Sequence, residues 1–156
     1  MDIKQSKIVQ PRATSSLVDN TEDHVTYTLL GDPIPLARAR ISNSADRFWD
    51  SQKQIKLACS LHLINQHVFK DGSPRPHYLG PIHMNVTFFM KMFKSGKQKP
   101  GQFHIFKPDL DNMIKFICDI SNSHLYHDDC IVSSISARKV YDRRERTEFT
   151  ITELGK

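Results

Sequence analysis

The sequence predicts an α+β fold, a single domain with the element order β-α-β-α-β-β, two main helices and a mixed or mainly antiparallel sheet. Three observations carry this: a strict period-two alternation over residues 82–92, helical apolar spacing over 51–69 and again after Pro108, and two strand-like runs in succession near the C-terminal end. At 156 residues the chain is the size of one ordinary domain, with no length for a second.

Residues 1–24 are rich in Gln, Ser, Thr, Asn and Asp, as in Gln10-Pro11-Arg12-Ala13-Thr14-Ser15-Ser16, with little apolar periodicity. They read as a flexible N-terminal extension to a domain covering 25–156. Val25-Thr26-Tyr27-Thr28-Leu29-Leu30 has the β-branched and aromatic content of a strand. Gly31-Asp32-Pro33-Ile34-Pro35 closes it, since two prolines force an extended or turning path. From Ser51 to Phe69 apolar residues recur at Ile55, Ala58, Leu61 or Leu63, Ile64 and Val68, a helical stripe that Asp71-Gly72-Ser73-Pro74 ends.

Ile82, Met84, Val86, Phe88, Met90 and Met92 alternate with His83, Asn85, Thr87, Phe89 and Lys91, the pattern of a strand with one buried face. Residues 94–102 are polar and rich in turn formers, hence a loop. Pro108 precedes a helical pattern from about Asp111 to Ser121. Its apolar face is Met113, Ile114, Ile117, Cys118 and Ile120, and Asp109 or Asp111 is available as N-cap. Two more strands follow near Ile131–Val140 and Thr147–Thr152, joined by the charged turn Asp142-Arg143-Arg144-Glu145.

Hydrophobic residues make up 38% and charged residues 25%, a balance that excludes a disordered or fibrous chain. No stretch approaches the roughly 20 apolar residues a membrane helix needs, and Met1-Asp2-Ile3-Lys4-Gln5 lacks a secretory h-region, so a cytoplasmic protein is expected. Cys59, Cys118 and Cys130 are odd in number, widely spaced and without a CxxC pair. They suit neither a disulfide framework nor a zinc site and read as reduced, mostly buried thiols.

The net charge of +5 favours a polyanionic partner, and its distribution is more informative than its size. No acidic residue lies between Asp71 and Asp109, whereas Arg75, Lys91, Lys94, Lys97, Lys99 and Lys107 all do. The acids then return at Asp109, Asp111, Asp119, Asp128 and Asp129. A basic approach beside an acidic knot is what phosphodiester cleavage requires, lysines holding the backbone while carboxylates hold cations. By charge alone a solvated lysine loop is the favoured reading.

Asp109 and Asp111 stand two apart at a loop-to-helix junction. An extended backbone would separate them, a first helical turn would converge them, and either case needs a third ligand. Asp128-Asp129 can supply it if residues 122–127 return the chain beside the helix start. Asp111, Lys115 and Asp119 share one helical stripe, so Lys115 faces the carboxylates, either to neutralise a phosphate oxygen or as an intrahelical salt bridge. Clustered oxygen donors suit Mg²⁺ or Mn²⁺. An EF-hand is excluded, because it would need glycine at Ile114 and glutamate at Ile120. Haloacid-dehalogenase and glycosyltransferase DxD motifs fail on chain length, and the former also on the Lys107-Pro108 that precedes Asp109.

The run Lys107-Pro108-Asp109-Leu110-Asp111-Asn112-Met113-Ile114-Lys115, then Asp119, then Asp128-Asp129-Cys130-Ile131-Val132, resembles the signature KPDxDNxxK…D…DDxxV of the RusA-like Holliday junction resolvases. Gly31-Asp32-Pro33-Ile34-Pro35-Leu36-Ala37-Arg38-Ala39-Arg40 resembles that family's GxPxPxxRxR segment, with Leu36-Ala37 in place of the usual small or basic pair. Glu148-Phe149-Thr150-Ile151-Thr152-Glu153 is similar to its closing strand.

The resemblance implies a Mg²⁺-dependent crossover junction endodeoxyribonuclease of bacterial or phage origin. It would act in DNA recombination and repair as a homodimer that nicks opposed strands of four-way or otherwise branched DNA. It assigns Asp109, Asp111 and Asp129 as catalytic metal ligands, with Mn²⁺ a possible substitute. Lys115 is assigned to catalysis and DNA contact, and Asp128 and Asp119 are supporting acids. Arg38 and Arg40 match the family's arginine pair, suited to phosphate contact or to bracing the carboxylates, and Lys107 joins them as a DNA-binding residue. The alternative is a branched-DNA-binding protein of the same fold without catalysis.

Overall fold

The computed structural model describes residues 25–37, 40–41 and 48–155, so the predicted extension over 1–24 lies outside the described residues. In chain order the elements are β1 (Thr26–Leu30), the two-residue strands β2 (Arg40–Ile41) and β3 (Phe48–Trp49), α1 (Lys53–Gln66), β4 (Ile82–Lys91), α2 (Leu110–Ser121), a 3₁₀ turn (Asp129–Ile131), β5 (Val132–Asp142) and β6 (Arg146–Glu153). Apart from the small β2–β3 ladder this is the expected α+β order, with two helices and a mixed four-stranded sheet.

That sheet runs β1-β6-β4-β5. β4 pairs antiparallel with β6 and parallel with β5, which makes α2 the crossover of a βαβ unit. The charged turn between β5 and β6 does not close a hairpin. It steps over the end of β4, where Lys91 pairs with Glu145 at 3.1 Å. β4 is central for a physical reason: Ile82, Met84, Val86 and Phe88 are all at most 1% exposed, and a strand burying so much apolar surface is better paired on both sides than left at an edge.

These β4 residues pack with Met113, Phe116, Ile117 and Ile120 of α2, together with Tyr27, Phe149, Leu125 and Tyr126. Each such side chain contributes about 1.5–3 kcal/mol relative to exposure. The helices lie on this face of the sheet alone among the described residues, and Asn85 on the other face of β4 is exposed. The long loop after β4 returns along the free edge of β5: Gly101 N donates to Tyr141 O at 2.8 Å, Tyr141 N to Gln102 O at 2.9 Å and His104 N to Lys139 O at 3.0 Å. The loop thereby delivers Asp109 to the start of α2.

Helix α1 does not bury the stripe its sequence suggests. Ile55, Leu61 and Ile64 are exposed, while Ser60 and Leu63 face inward. Polar attachments select this face. Ser60 Oγ donates to Ile120 O at 2.8 Å, and Gln66 bonds both the N–H and the carbonyl of Thr28 at 2.7 and 2.9 Å. The helix ends at Gln66, short of Phe69. All three cysteines are free; Cys59 and Cys118 are half-buried, but Cys130 is exposed, contrary to the expectation of burial. No described helix is long and apolar enough to cross a membrane.

Candidate active site

Asp109 is the N-cap of α2, with extended backbone (φ −72°, ψ 139°), yet its carboxylate makes no capping hydrogen bond. The approach to it is held instead by Lys139 of β5, whose Nζ donates to Phe106 O at 2.5 Å and Pro108 O at 2.7 Å. The intervening Lys107–Pro108 peptide is cis. The Asp109 carboxylate is thus spared from helix capping, half-exposed, and paired with the Lys107 ammonium at 2.5 Å. Lys107, 83% exposed, is a replaceable partner, because ion pairs in solvent are worth at most about 1 kcal/mol.

Asp111 sits in the first turn of α2, where the helix dipole favours an anion. One turn on, Lys115 Nζ reaches Asp111 Oδ2 at 3.2 Å. Lys115 hydrogen bonding, the main cause, holds the Asp111 carboxyl below the usual carboxylate range. Both side chains remain well exposed, so the pair stays open to other partners.

The two acids after α2 divide their work. Asp128 Oδ1 accepts from Cys130 N at 2.8 Å and caps the 3₁₀ turn, and this backbone hydrogen bond is the first cause of its lowered pKa. Asp129, next in the chain, makes no capping bond and is exposed. It lines a cavity of about 450 Å³ together with Lys115, Cys118 and Asp119. A second cavity, about 330 Å³, is lined by Asp109, Asp111, Asn112 and Lys115. Leu36 and Lys115 line both, so the cavities adjoin at the middle of α2. Leu36 is fixed there by its N–H donating to Asn112 O at 2.9 Å.

The predicted residues are therefore gathered around Lys115, though not around one point. The return after α2 brings Asp129 beside Cys118 and Asp119, further along the helix than its start. Among the described residues no three His, Cys, Asp or Glu side chains lie close enough to hold an ion. The donor chemistry nonetheless suits a hard cation, since Asp109, Asp111 and Asp129 all present exposed carboxylate oxygens that no cap consumes. Asp119 is less available, because Lys56 of α1 pairs with it at 2.7 Å while also holding Asp50 at 2.8 Å. Arg38 lies outside the described residues, and of Arg40 only the backbone, in β2, is described.

Sequence reasoning did not find Lys139, Lys56 or Leu36. The lysines look like ordinary surface cations, and their roles arise from elements 31 and 63 residues away from their partners, at Pro108 and Asp119 respectively. Only Leu36 had a signal, its place in the Pro-rich segment that leads to the arginine pair.

Open carboxylates and a lysine set along one helix of an α+β domain are the groups that a phosphodiester-cleaving nuclease needs. The model of the family "Endodeoxyribonuclease RusA" matches residues 31–152, and the chain belongs to this family. It is 28% identical over 145 residues to the "Uncharacterized protein YqaN" of Bacillus subtilis (strain 168), covering 85% of this chain and 99% of that one. It is also 35% identical over 75 residues to the crossover junction endodeoxyribonuclease rusA of Lactococcus phage r1t, covering 47% of this chain and 56% of the phage protein.

Proposed function

We propose that the protein resolves Holliday junctions in DNA recombination and repair, nicking opposed strands by metal-dependent hydrolysis. The observation that carries this reading is the position of Lys115, which lines both carboxylate cavities at the heart of the family's motif. Asp109, Asp111 and Asp129 would hold Mg²⁺, with Mn²⁺ as a substitute. The bound ion would supply charge neutralisation at the phosphate and a more acidic water.

The chain's own groups do the rest. Lys115 draws a phosphate oxygen toward the cavities and offsets the negative charge that grows as the P–O bond breaks. The Leu110 amide has no intrahelical acceptor and the Asp109 side chain does not take it, whereas the Asp111 and Asn112 amides bond the Asp111 carboxylate, so the Leu110 N–H is the one that can receive a strand phosphate at the helix N-terminus. Lys107 and the lysines of the preceding loop hold the flanking backbone, which makes affinity fall with salt. A four-way junction is two-fold symmetric, and a homodimer with one site per subunit meets that symmetry.

The test is incubation with a synthetic four-way junction and with a linear duplex of the same arms, each with Mg²⁺ or with chelator. Paired nicks in the junction with Mg²⁺ alone are expected, leaving 5′-phosphate and 3′-hydroxyl ends. Asp109→Asn should still bind and no longer cut. Junction binding without nicking under any condition would establish the non-catalytic alternative instead.

A further inference from the structure

Three aromatic rings of the loop that leads to Asp109 and one of β5 form a closed group. Phe93 stands edge-on to Phe106 (centroids 5.7 Å, 69°) and to Tyr141 (5.7 Å, 62°). His104 contacts Phe106 (6.0 Å, 81°) and Tyr141 (4.8 Å, 58°). The lower pair is buried, Tyr141 at 2% and His104 at 7% exposure, whereas Phe93 and Phe106 are 46% and 54% exposed. Two large rings are thus raised into solvent on a fixed base. Edge-to-face packing covers at most one face of each contacting ring, and both Phe93 and Phe106 keep about half their surface open to solvent.

The base is rigid because the segment is hydrogen-bonded along β5, and Lys139 holds the Phe106 carbonyl itself. His104 Nδ1 is buried beneath these rings with no hydrogen-bond partner among the described residues. Burial is the leading cause of the lowered His104 pKa, which favours the neutral ring beneath Phe106. The setting decides which occupant fits. Lys94, Lys97, Lys99 and Lys107 are exposed on the same loop, which has no acidic residue, and the nearest acids on the β5–β6 turn are engaged: Asp142 by Arg146 and Glu145 by Lys91. Open aromatic faces within a field of lysines match nucleic acid, where phosphates meet the cations and bases meet the rings.

We propose that Phe106, supported by Phe93, is a stacking platform for an unpaired nucleobase of branched DNA next to the strand that is cut. This rests on the junction-resolving reading above. A base inside a duplex is stacked on both sides, so an aromatic face adds nothing there, whereas a base splayed at a branch point has a face to offer. Phe106 lies three residues before Asp109, a backbone span of at most about 10 Å, so a base held there lies close to the phosphate being cleaved. The platform would therefore position the branch and favour branched over linear DNA.

The experiment uses the full chain carrying Asp109→Asn, so that nothing is cut, with junctions bearing a fluorescent adenine analogue at the branch point and a duplex of the same sequence. Stacking should change the analogue's fluorescence on binding the junction and not the duplex. Adding Phe106→Leu, which keeps apolar bulk but has no ring face, should abolish that change and weaken junction affinity about tenfold, with duplex affinity and salt slope unchanged. Phe106→Tyr should retain both, and melting curves should show the variants folded. An unchanged signal and affinity in Phe106→Leu would overturn the proposal. So would dissociation of the dimer in sedimentation on Phe106→Leu, which would show that the rings are covered by a second copy of the chain. Failure of the nuclease reading appears separately, as absence of nicking by the unsubstituted chain with Mg²⁺, and leaves the fluorescence readout intact.

Discussion

Lys139 Nζ lies 2.7 Å from the Pro108 carbonyl oxygen, so a strand lysine fixes the backbone one residue before the first motif aspartate. The same ammonium holds Phe106 O, and these two bonds are what keep Asp109 at the mouth of α2 without a side-chain cap. Lys139→Met preserves the aliphatic stem and removes the donors. Losing charge-assisted hydrogen bonds of this kind costs about 1.5–3 kcal/mol when they are buried, and the partial exposure here places the loss at the lower end. Junction cleavage under single-turnover conditions should fall about tenfold through displacement of Asp109. Junction affinity at fixed salt should change far less. Equal losses in cutting and binding would show that Lys139 acts on DNA directly and not through the backbone.

The contrast between Leu61 and Leu63 makes a stability prediction. Leu63 is fully buried and Leu61 is 53% exposed, two residues apart on α1. Leu63→Ala should cost about 2–5 kcal/mol, the range for a buried leucine that leaves a cavity. Leu61→Ala should stay within about 0.5 kcal/mol, as surface substitutions do. Urea denaturation of both variants decides it, and similar midpoints would mean that α1 packs through the other stripe.

That pair also shows where the sequence is legible. The alternation of β4 and the apolar face of α2 appear in the sequence because each buries one side against the core by hydrophobicity alone, and Ile82, Met84, Val86, Phe88, Met113, Ile117 and Ile120 are all buried. On α1 the apolar residues surround the helix, and polar contacts of Ser60 and Gln66 with distant backbone choose the inner face. No local pattern encodes that choice. The short β5–β6 turn is likewise compatible with a hairpin, and only the pairing of β4 with both strands shows that it is a step-over. In the site, the motif residues were legible one by one, while the ion pair that takes Asp119 to Lys56 depends on how α1 meets α2.

Stability should depend on pH through His67. Its Nε2 lies 3.0 Å from Pro76 O, which can only accept, so Nε2 carries the hydrogen and Nδ1 receives the Tyr27 hydroxyl at 2.6 Å. Burial, chiefly, lowers the His67 pKa below its ordinary value. The unfolded chain then takes up a proton before the folded one does. The contribution of neutral His67 is complete above pH of about 6.5, and it is lost as pH falls from there through the lower folded value, by at most about 1.4 kcal/mol per pH unit. His67→Gln should lower the melting temperature at pH 8 and flatten its decline between pH 6.5 and 5. A decline as steep as in the unsubstituted protein would assign it to another group.

Asp128 and Asp129 are adjacent yet predicted to fail in different ways. Asp128 caps the 3₁₀ turn through Cys130 N, and Asp129 caps nothing and faces the cavity that Lys115 shares. Asp128→Ala should lower the melting temperature by removing the cap, and lower cleavage by loosening the turn that presents Asp129. Asp128→Ser restores an oxygen acceptor without a charge, so it should recover both stability and cutting. Asp129→Asn should leave the melting curve in place and remove cleavage by about a hundredfold or more, the scale of losing one charge-stabilising group at a reacting phosphate. A serine at 128 that restores stability but not cutting would move Asp128 from the scaffold into the chemistry. The division of labour between the two acids stands or falls on that single variant.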